Sequence, residues 1–138
     1  MIVGSVTGGI VPAFFTLDGE WFRPTGHCRG PWDPNACHAG PPTGLMARES
    51  ERLVPDQQLV RLTVDLTRPI PHAGFRIEGR VTRTGRTVST TDMTIVNTDG
   101  KTVVVGRGMH IGPGHPGELP TAPYDTPVFA ESQPGEFP

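Results

Sequence analysis

The fold of this chain is decided by residues 38–111, a run that opens with HAGPPTGLMARESERL at residues 38–53. Two prolines in that stretch indicate a helix start, because the first helical turn leaves its N–H groups unused and the fixed φ of proline suits it. Pro55 stops the pattern, so we expect a helix over residues 42–54. Its core-facing side shows the i, i+3/i+4 spacing of one helix face, and is formed by Leu45, Met46, Glu49 and Leu53.

Four strand-like segments complete the run and are joined by short turns. They are QLVRLTVDL (58–66), GFRIEGRVTR (74–83), RTVSTTDMTIVNT (86–98) and KTVVVGRGMHI (101–111). Apolar and polar residues alternate along them, and the residues predicted to share the apolar face of the first segment are Val60, Leu62, Val64 and Leu66. One-sided alternation is typical of an antiparallel sheet with one apolar face. The fold class is therefore α+β, with an antiparallel sheet wrapped around one central helix.

Weaker elements flank this run. Two short strands are predicted at Ala13–Leu17 and Glu20–Arg23, on either side of a turn at Asp18-Gly19. The folded domain is then expected to cover residues 1–111. Residues 112–138 hold seven prolines and show no apolar periodicity, so we expect a Pro/Gly-rich tail or linker there.

Charge and composition argue against several classes of protein. The formal net charge is -2, whereas dedicated nucleic-acid binders are usually clearly basic. Residues 59–111 are mildly basic, with eight basic and four acidic side chains, which suits either a phosphate-bearing ligand or a solvated face. Residues 1–15 are broken by glycines and lack a basic start, so neither a signal peptide nor a membrane span is expected. Two cysteines make no disulfide framework, and we expect a cytoplasmic protein without a cofactor.

Several stretches, taken in order, resemble one protein family. They are GPWDPNACHAGPPTGLMARESERL (30–53), RLTVDLTRPIP (61–71), VTRTGRTVSTTDMTIVNTDGK (81–101) and VVVGRGMHI (103–111). Together they resemble the acyl-CoA thioesterase II and thioesterase-like group of hotdog proteins. The resemblance implies a single hotdog, in which the sheet wraps the helix, with acyl-CoA as ligand. Members of the family are commonly double hotdogs, and this chain resembles the N-terminal unit followed by a linker.

The resemblance also implies how such units assemble. Hotdog units pair side by side with acyl-CoA sites at the seam between them, so we expect a homodimer or a heteromer with a second hotdog chain. In the double-hotdog thioesterases, the residues that activate water sit mainly in the C-terminal unit. Whether this chain hydrolyses thioesters is therefore left open by the sequence.

Thioester hydrolysis needs donors for the developing oxyanion and a group that activates water. A helix N-terminus supplies donors through its free N–H groups and its dipole. The turn before this helix has Ala39 where the family commonly has glycine, and the two prolines have no N–H. The donors that remain are Gly40, Thr43 and Gly44. The alternative is that this turn only starts the helix.

Four residues are candidates for the base, and each has a structural alternative. They are Asp33, His38, Asp65 and Asp92. Histidine titrates near neutral pH, which suits acid–base work, although a lone histidine before a helix is usually structural. Asp33 would otherwise be a turn residue and Asp65 an ion-pair partner. Asp92 lies in a polar strand row that would line the seam.

Other residues are candidates for ligand contacts. Arg83 and Arg86 flank a turn where two guanidinium groups would hold CoA phosphates, or where arginine only aids solubility. The apolar parts of the ligand would lie in a slot, unless the side chains proposed as its walls belong to the core; these are Trp32, Leu45, Met46 and Met93. A zinc site is disfavoured, because the spacing of its four possible ligands matches no common pattern; these are His27, Cys28, Cys37 and His38.

The leading hypothesis is an acyl-CoA thioesterase-like protein that hydrolyses or binds fatty acyl-CoA thioesters at a hotdog dimer seam. The alternative is a non-catalytic acyl-CoA-binding or partner subunit that completes a site on another hotdog chain. A hotdog hydratase is a weaker third hypothesis, on the expectation that no Asp precedes a His by a few residues on the loop entering the helix.

Overall fold

One helix and six strands make up the described part of the chain. The computed structural model describes residues 13–114, together with residues 117, 120 and 122. In chain order the elements are β1 (Phe15–Asp18), β2 (Trp21–Pro24), a short 3-10 turn (Gly26–Cys28), α1 (Gly40–Leu53), β3 (Gln58–Leu66), β4 (Phe75–Arg83), β5 (Val88–Asn97) and β6 (Thr102–Ile111). Residues 1–12 of the predicted domain and most of the predicted tail lie outside this description.

The six strands form one antiparallel sheet in the order β1-β2-β4-β5-β6-β3. The helix packs against β3, β4, β5 and β6, which confirms the predicted sheet wrapped around one helix. β4 pairs along its length with β5, but on its other side it meets β2 at a single pair, Phe22 with Phe75. The edge of β4 beyond Phe75 therefore has no partner strand within the described residues.

The predicted elements are confirmed with shifted ends. The helix begins at Gly40, two residues before its predicted start, because Ala39 already adopts the helical conformation and its carbonyl accepts the N–H of Thr43. Both prolines fit inside this first turn, where they remove no hydrogen bond. The two short strands lie at Phe15–Asp18 and Trp21–Pro24, shifted towards the C-terminus from the predicted ranges.

The alternation predicted for β3 is wrong at Val60, which is 47% exposed. Leu62 and Val64 pack against the core as expected. Leu66 keeps their parity, opposite the buried Val104, but is 55% exposed at the end of the strand. The pairing with β6 shifts register between Leu59 and Arg61. Such a bulge places two residues of one strand opposite one of its partner, so residues before and after it no longer follow one alternation.

Glycines on the inner face of the sheet let the helix lie close to it. A Cβ built on Gly106 would lie 2.7 Å from the Met46 Cε atom, and one built on Gly79 would lie 2.7 Å from the Met93 Sδ atom. A Cβ on Gly108 would collide with the hydroxyls of Thr91 and Ser50. Around this contact the core is made of Phe22, Leu45, Met46, Ile70, Phe75, Met93, Ile95, Val103 and Val104.

Replacing Gly108 by alanine tests this close approach. The short side chains of Thr91 and Ser50 have little freedom to move away, so we expect Gly108→Ala to lower the free energy of unfolding by about 1–3 kcal/mol. Gly44 is exposed in the same helix with open space around its Cα, so Gly44→Ala is expected to raise it by about 0.5–1 kcal/mol. Urea unfolding of both variants measures the two changes. Equal stability of the Gly108→Ala variant and the parent would contradict the packing described here.

Candidate functional site

A groove of about 530 Å³ lies at the N-terminal end of α1. One wall is the loop that leads into the helix, and the other is the connection from β3 to β4. The lining residues are Gly30, Trp32, Asp33, Ala36, Cys37, His38 and Ala39 on the first wall and Leu66, Thr67, Arg68, Pro69 and Ile70 on the second. The groove thus brings the predicted candidates Asp33 and His38 together beside the start of the helix.

Backbone hydrogen bonds fix the loop of residues 30–38 against the rest of the domain. The N–H of His38 donates to the Cys28 carbonyl at 2.7 Å, and the N–H of Cys37 donates to the Ile70 carbonyl at 2.8 Å. The N–H of His72 donates back to the Asn35 carbonyl at 2.8 Å. The two walls of the groove are therefore held together by hydrogen bonds and the site does not depend on a free loop.

The helix N-terminus offers fewer donors than the sequence indicated. Because the helix begins at Gly40, the N–H of Thr43 is used in the first intrahelical bond, to Ala39 at 3.0 Å. Helical geometry directs the N–H of Gly44 to the Gly40 carbonyl in the same way. The remaining N–H, that of Gly40, donates to the His38 Nδ1 atom at 3.1 Å.

That bond fixes the role of the His38 ring. Since Nδ1 accepts a hydrogen bond, the neutral ring carries its proton on Nε2. His38 is exposed and lines the groove, so its Nε2–H can donate a hydrogen bond in the groove. The geometry therefore suits His38 to hydrogen-bond donation better than to the role of base.

Asp33 is the carboxylate among the groove-lining residues. Its Oδ1 atom accepts the N–H of Asn35 at 2.8 Å, as in an Asx turn, and its backbone carbonyl accepts the N–H of Ala36. The second carboxylate oxygen has no hydrogen bond within the described residues. Asp33 is thus both the predicted turn residue and an acceptor facing the groove.

The groove also removes the sequence argument against a hydratase. Asp33 lies five residues before His38, in the loop that enters the helix, and both line the same groove. The expectation that no such Asp and His pair exists was wrong.

The other predicted carboxylates lie on the opposite face of the sheet. Asp92 alternates with the buried Thr91 and Met93, so it faces away from the helix, and it pairs with Arg80 at 3.1 Å and Arg107 at 2.9 Å. Asp65 is exposed on β3, and its expected ion pair with a neighbouring arginine is not formed among residues 13–114. The fold does not bring either carboxylate to the groove.

Arg83 and Arg86 lie at the far end of the helix. The side chain of Gln57, just after α1, donates to the Gly85 carbonyl between them at 2.7 Å. A helix of 14 residues is about 21 Å long, so within one chain these arginines are separated from the groove by roughly that distance.

The family of this chain follows from its match to a protein-family model. The model for the acyl-CoA thioesterase N-terminal domain matches residues 28–111, which is more than half of the chain and includes the groove, the helix and β3 to β6. The chain belongs to this family. No functionally curated protein matches the sequence.

Solved structures share the fold of this thioesterase-family domain. A Streptococcus pneumoniae hypothetical thioesterase with coenzyme A is 16% identical, with a TM-score of 0.61 over 72% of this chain and 83% of that one. A Bacillus halodurans protein solved with CoA is also 16% identical, with a TM-score of 0.58 over 66% and 68% of the two chains. E. coli PaaI, from the phenylacetic acid degradation operon, is 21% identical, with a TM-score of 0.59 over 68% and 70%. These likenesses establish the fold as a single hotdog.

The four apolar residues proposed as walls of a ligand slot have different environments. Leu45, Met46 and Met93 are at most 5% exposed and belong to the core between helix and sheet. Trp32 lines the groove and is 92% exposed. The space between α1 and the sheet is therefore filled by core side chains, and of the four residues Trp32 is the one that lines the groove.

The structure contains a buried polar cluster that was not predicted from the sequence. Ser50 on α1, Thr91 on β5 and His110 on β6 are fully buried, with the Ser50 Oγ atom 2.7 Å from the Thr91 Oγ1 atom and 3.1 Å from the His110 Nε2 atom. The His110 Nδ1 atom has no partner among the described residues. The alternation along β5 and β6 could have predicted it, because Thr91 and His110 occupy positions that face inward on strands whose other inward positions are mostly apolar.

The two cysteines, Cys28 and Cys37, are free thiols. Burial, with a smaller contribution from nearby Cys28, raises the pKa of Cys37 to about 12, which makes its thiol a poor nucleophile. In the described part of the chain, no group of three or more His, Cys, Asp or Glu side chains is placed to hold a metal ion. Among the same residues, the helix is too short and too polar to cross a membrane.

The buried histidine predicts a pH-dependent stability. Burial lowers the pKa of His110 below its usual 6.5, against the opposing effect of Glu51. The unfolded chain therefore takes up this proton first as pH falls. The neutral, buried His110 therefore makes its full contribution to the free energy of unfolding above about pH 6.5. Below that pH the free energy of unfolding falls by up to about 1.4 kcal/mol per pH unit.

Urea unfolding between about pH 5 and about pH 8 checks this expectation. We expect His110→Gln to flatten the loss of stability on the acidic side relative to the parent. The same pH dependence in both proteins would show that another group causes it.

Proposed function

We propose that this domain binds fatty acyl-CoA thioesters in the groove at the start of α1 and hydrolyses them. The observation that carries the proposal is the groove itself, which places a carboxylate and a histidine N–H donor beside apolar walls at a helix N-terminus. The CoA found in two structures of the same fold supports this ligand class. Clefts of a few hundred Å³ with few polar groups are typical ligand sites.

The proposed chemistry assigns one step to each polar group. Asp33 takes a proton from a water molecule while the oxygen of that water attacks the thioester carbonyl carbon. His38 donates its Nε2–H to the carbonyl oxygen, which becomes negative, and the Gly40 N–H holds the ring in the required tautomer. The carbon–sulfur bond then breaks, and the CoA sulfur takes the proton from Asp33.

We propose that two such units pair through β4. From Ile77 to Arg83 its edge has no partner strand among the residues that the structure describes, and an exposed strand edge is a template for another strand. Two copies of β4 in antiparallel register satisfy both edges by twofold symmetry. A homodimer fits this geometry, and a second hotdog chain with the same edge would fit it equally.

Such pairing would also bring Arg83 and Arg86, which lie far from the groove of their own chain, near the groove of the partner chain. In an antiparallel pair, the end of one β4 lies beside the start of the other, so the partner's Arg83 would lie near residues 75–77 of this chain. Residues 70–72 immediately before that strand are bonded to the groove loop. We propose that the partner's Arg83 and Arg86 hold the CoA phosphates while the thioester lies in this groove.

A non-catalytic acyl-CoA-binding or partner subunit is the second candidate. It is favoured by the helix start, where Pro41 and Pro42 have no N–H and the Gly40 N–H is already bonded to His38. One oxygen of Asp33 is likewise engaged by its own turn. In this case the groove would bind the ligand and another hotdog chain would supply the chemistry.

The cytoplasm is the compartment we propose. Cys28 and Cys37 are both unpaired, and free thiols persist where the environment is reducing.

Turnover of medium-chain and long-chain acyl-CoA, followed as free thiol, tests the catalytic proposal. We expect Asp33→Asn to lower kcat by about 10²–10⁴-fold, because it removes the base, and His38→Ala to lower it by about 10²-fold. Asp56 is an exposed carboxylate in the turn after the helix, and Asp56→Asn is the matched control with unchanged rate. Saturable binding without turnover by the parent protein would instead support the non-catalytic subunit. An α,β-unsaturated acyl-CoA assayed in parallel reports any hydration.

Sedimentation of the protein tests the β4 pairing. Val81 on β4 is 39% exposed and Val105 on the outer sheet face is 41% exposed, so the two form a matched pair. We expect Val81→Glu to convert a dimer into a monomer, because it buries an unpaired charge at the seam, and Val105→Glu to leave the dimer intact. Dissociation by Val105→Glu alone would place the interface on the outer face of the sheet.

A further inference from the structure

Trp32 is held in an unusual position. Its side chain is 92% exposed, although it lies in a loop that backbone hydrogen bonds fix on both sides. The Gly30 N–H donates to the Ala36 carbonyl at 3.1 Å, and the Ala36 N–H donates to the Asp33 carbonyl at 3.1 Å. The loop therefore presents a large aromatic surface to solvent from a well-fixed backbone.

A second exposed apolar side chain lies in the same groove. Leu66, at the end of β3, is 55% exposed and lines the opposite wall from Trp32. Ile70, which also lines the groove, is only 3% exposed and belongs to the core. The groove thus has exposed apolar surface on both walls and a buried isoleucine beneath.

Among the described residues, the space between the helix and the sheet leaves no room for an acyl chain. Met46 and Met93 are buried between α1 and the sheet, and a single added methyl on Gly79 or Gly106 would already collide with them. An acyl chain whose carbonyl lies at His38 is therefore excluded from the core. It would have to lie along the groove between its two apolar walls.

We propose that Trp32 and Leu66 form an acyl-binding lip, in which the two side chains enclose the part of the hydrocarbon chain nearest the thioester. The inference rests on the proposed function and adds to it the residues that bind the acyl group. The polar donors of the groove hold the carbonyl, while the lip covers methylene groups. Because the loop is fixed before the ligand arrives, binding orders few additional groups.

The lip implies a dependence on chain length. Each methylene covered by the lip leaves water, so affinity rises with chain length until the chain extends beyond Trp32 and Leu66. Further methylenes then remain in solvent and add little. The groove would accept long chains but not distinguish among them.

Tryptophan fluorescence reports on this lip directly. Trp21, the other tryptophan, is half-buried with the guanidinium groups of Arg23 and Arg76 over its ring. In a Trp21→Phe background the emission comes from Trp32 alone and is that of an exposed indole. We expect a blue shift on adding octanoyl-CoA or decanoyl-CoA to an Asp33→Asn protein, in which turnover is slowed, and no shift on adding free CoA.

Affinity measurements on lip variants complete the test. We expect Trp32→Ala to weaken octanoyl-CoA binding on the order of tenfold, with partial recovery in Trp32→Phe, and Leu66→Ala to weaken it by about threefold. Leu17→Ala is the matched control, because Leu17 on β1 is 54% exposed and does not line the groove. Binding of free CoA should be unchanged in all four variants.

The outcomes separate this inference from the proposed function. If calorimetry shows octanoyl-CoA binding while Trp32 emission and the Trp32→Ala affinity stay unchanged, the lip is overturned and the function stands. An equal shift with free CoA would place Trp32 against the nucleotide and overturn the acyl assignment. A blue shift that grows with protein concentration in the absence of ligand would make Trp32 part of a contact between copies, which also overturns the lip. Absence of any acyl-CoA binding would overturn both proposals.

Discussion

The close packing of α1 on the glycines of the sheet is the contact on which the rest of the domain depends. Gly79, Gly106 and Gly108 leave room for the helix face that carries Met46 and Ser50. Without that room the helix would have to move outward, since side chains in a packed core have few alternative positions. The position of the helix in turn sets where its first residue lies. The groove, His38 and the walls around it all follow from that one position.

The same packing also buries polar side chains, and this lowers the stability of the domain where a polar atom lacks a hydrogen bond. Ser50, Thr91 and His110 are buried together, and one ring nitrogen of His110 is left without a partner among the described residues. A buried polar group that lacks a hydrogen bond is unfavourable, so the cluster does not act as a simple stabilising contact. It joins the helix to two strands by directional bonds, and it makes that junction depend on the neutral state of one histidine. The end of the helix opposite the groove is therefore the pH-sensitive part of the domain.

Sequence patterns predicted the fold far better than the site. The proline-led helix and the alternating strands are local patterns, and short turns join the strands as expected; in the last of them Gly100 adopts a positive φ of 77°. The bulge after Leu59 had no local signal, so the outward position of Val60 was missed. The groove joins two segments some thirty residues apart through the bond from Cys37 to Ile70, which no spacing in the sequence indicates. Asp33 and His38 were candidates because both precede the helix start, and both line the groove. Asp65 and Asp92 were candidates by residue type alone, and they lie on the opposite face of the sheet.

The proposed function requires that the groove at the start of α1 binds an acyl thioester. Calorimetric titration of the protein with a non-hydrolysable acyl-CoA thioether tests it most directly. We expect saturable binding to a single class of site, with a negative heat-capacity change from apolar burial and a clear loss of affinity when the acyl group is removed. Equal affinity for the thioether and for free CoA, or no saturable binding of either, would contradict it.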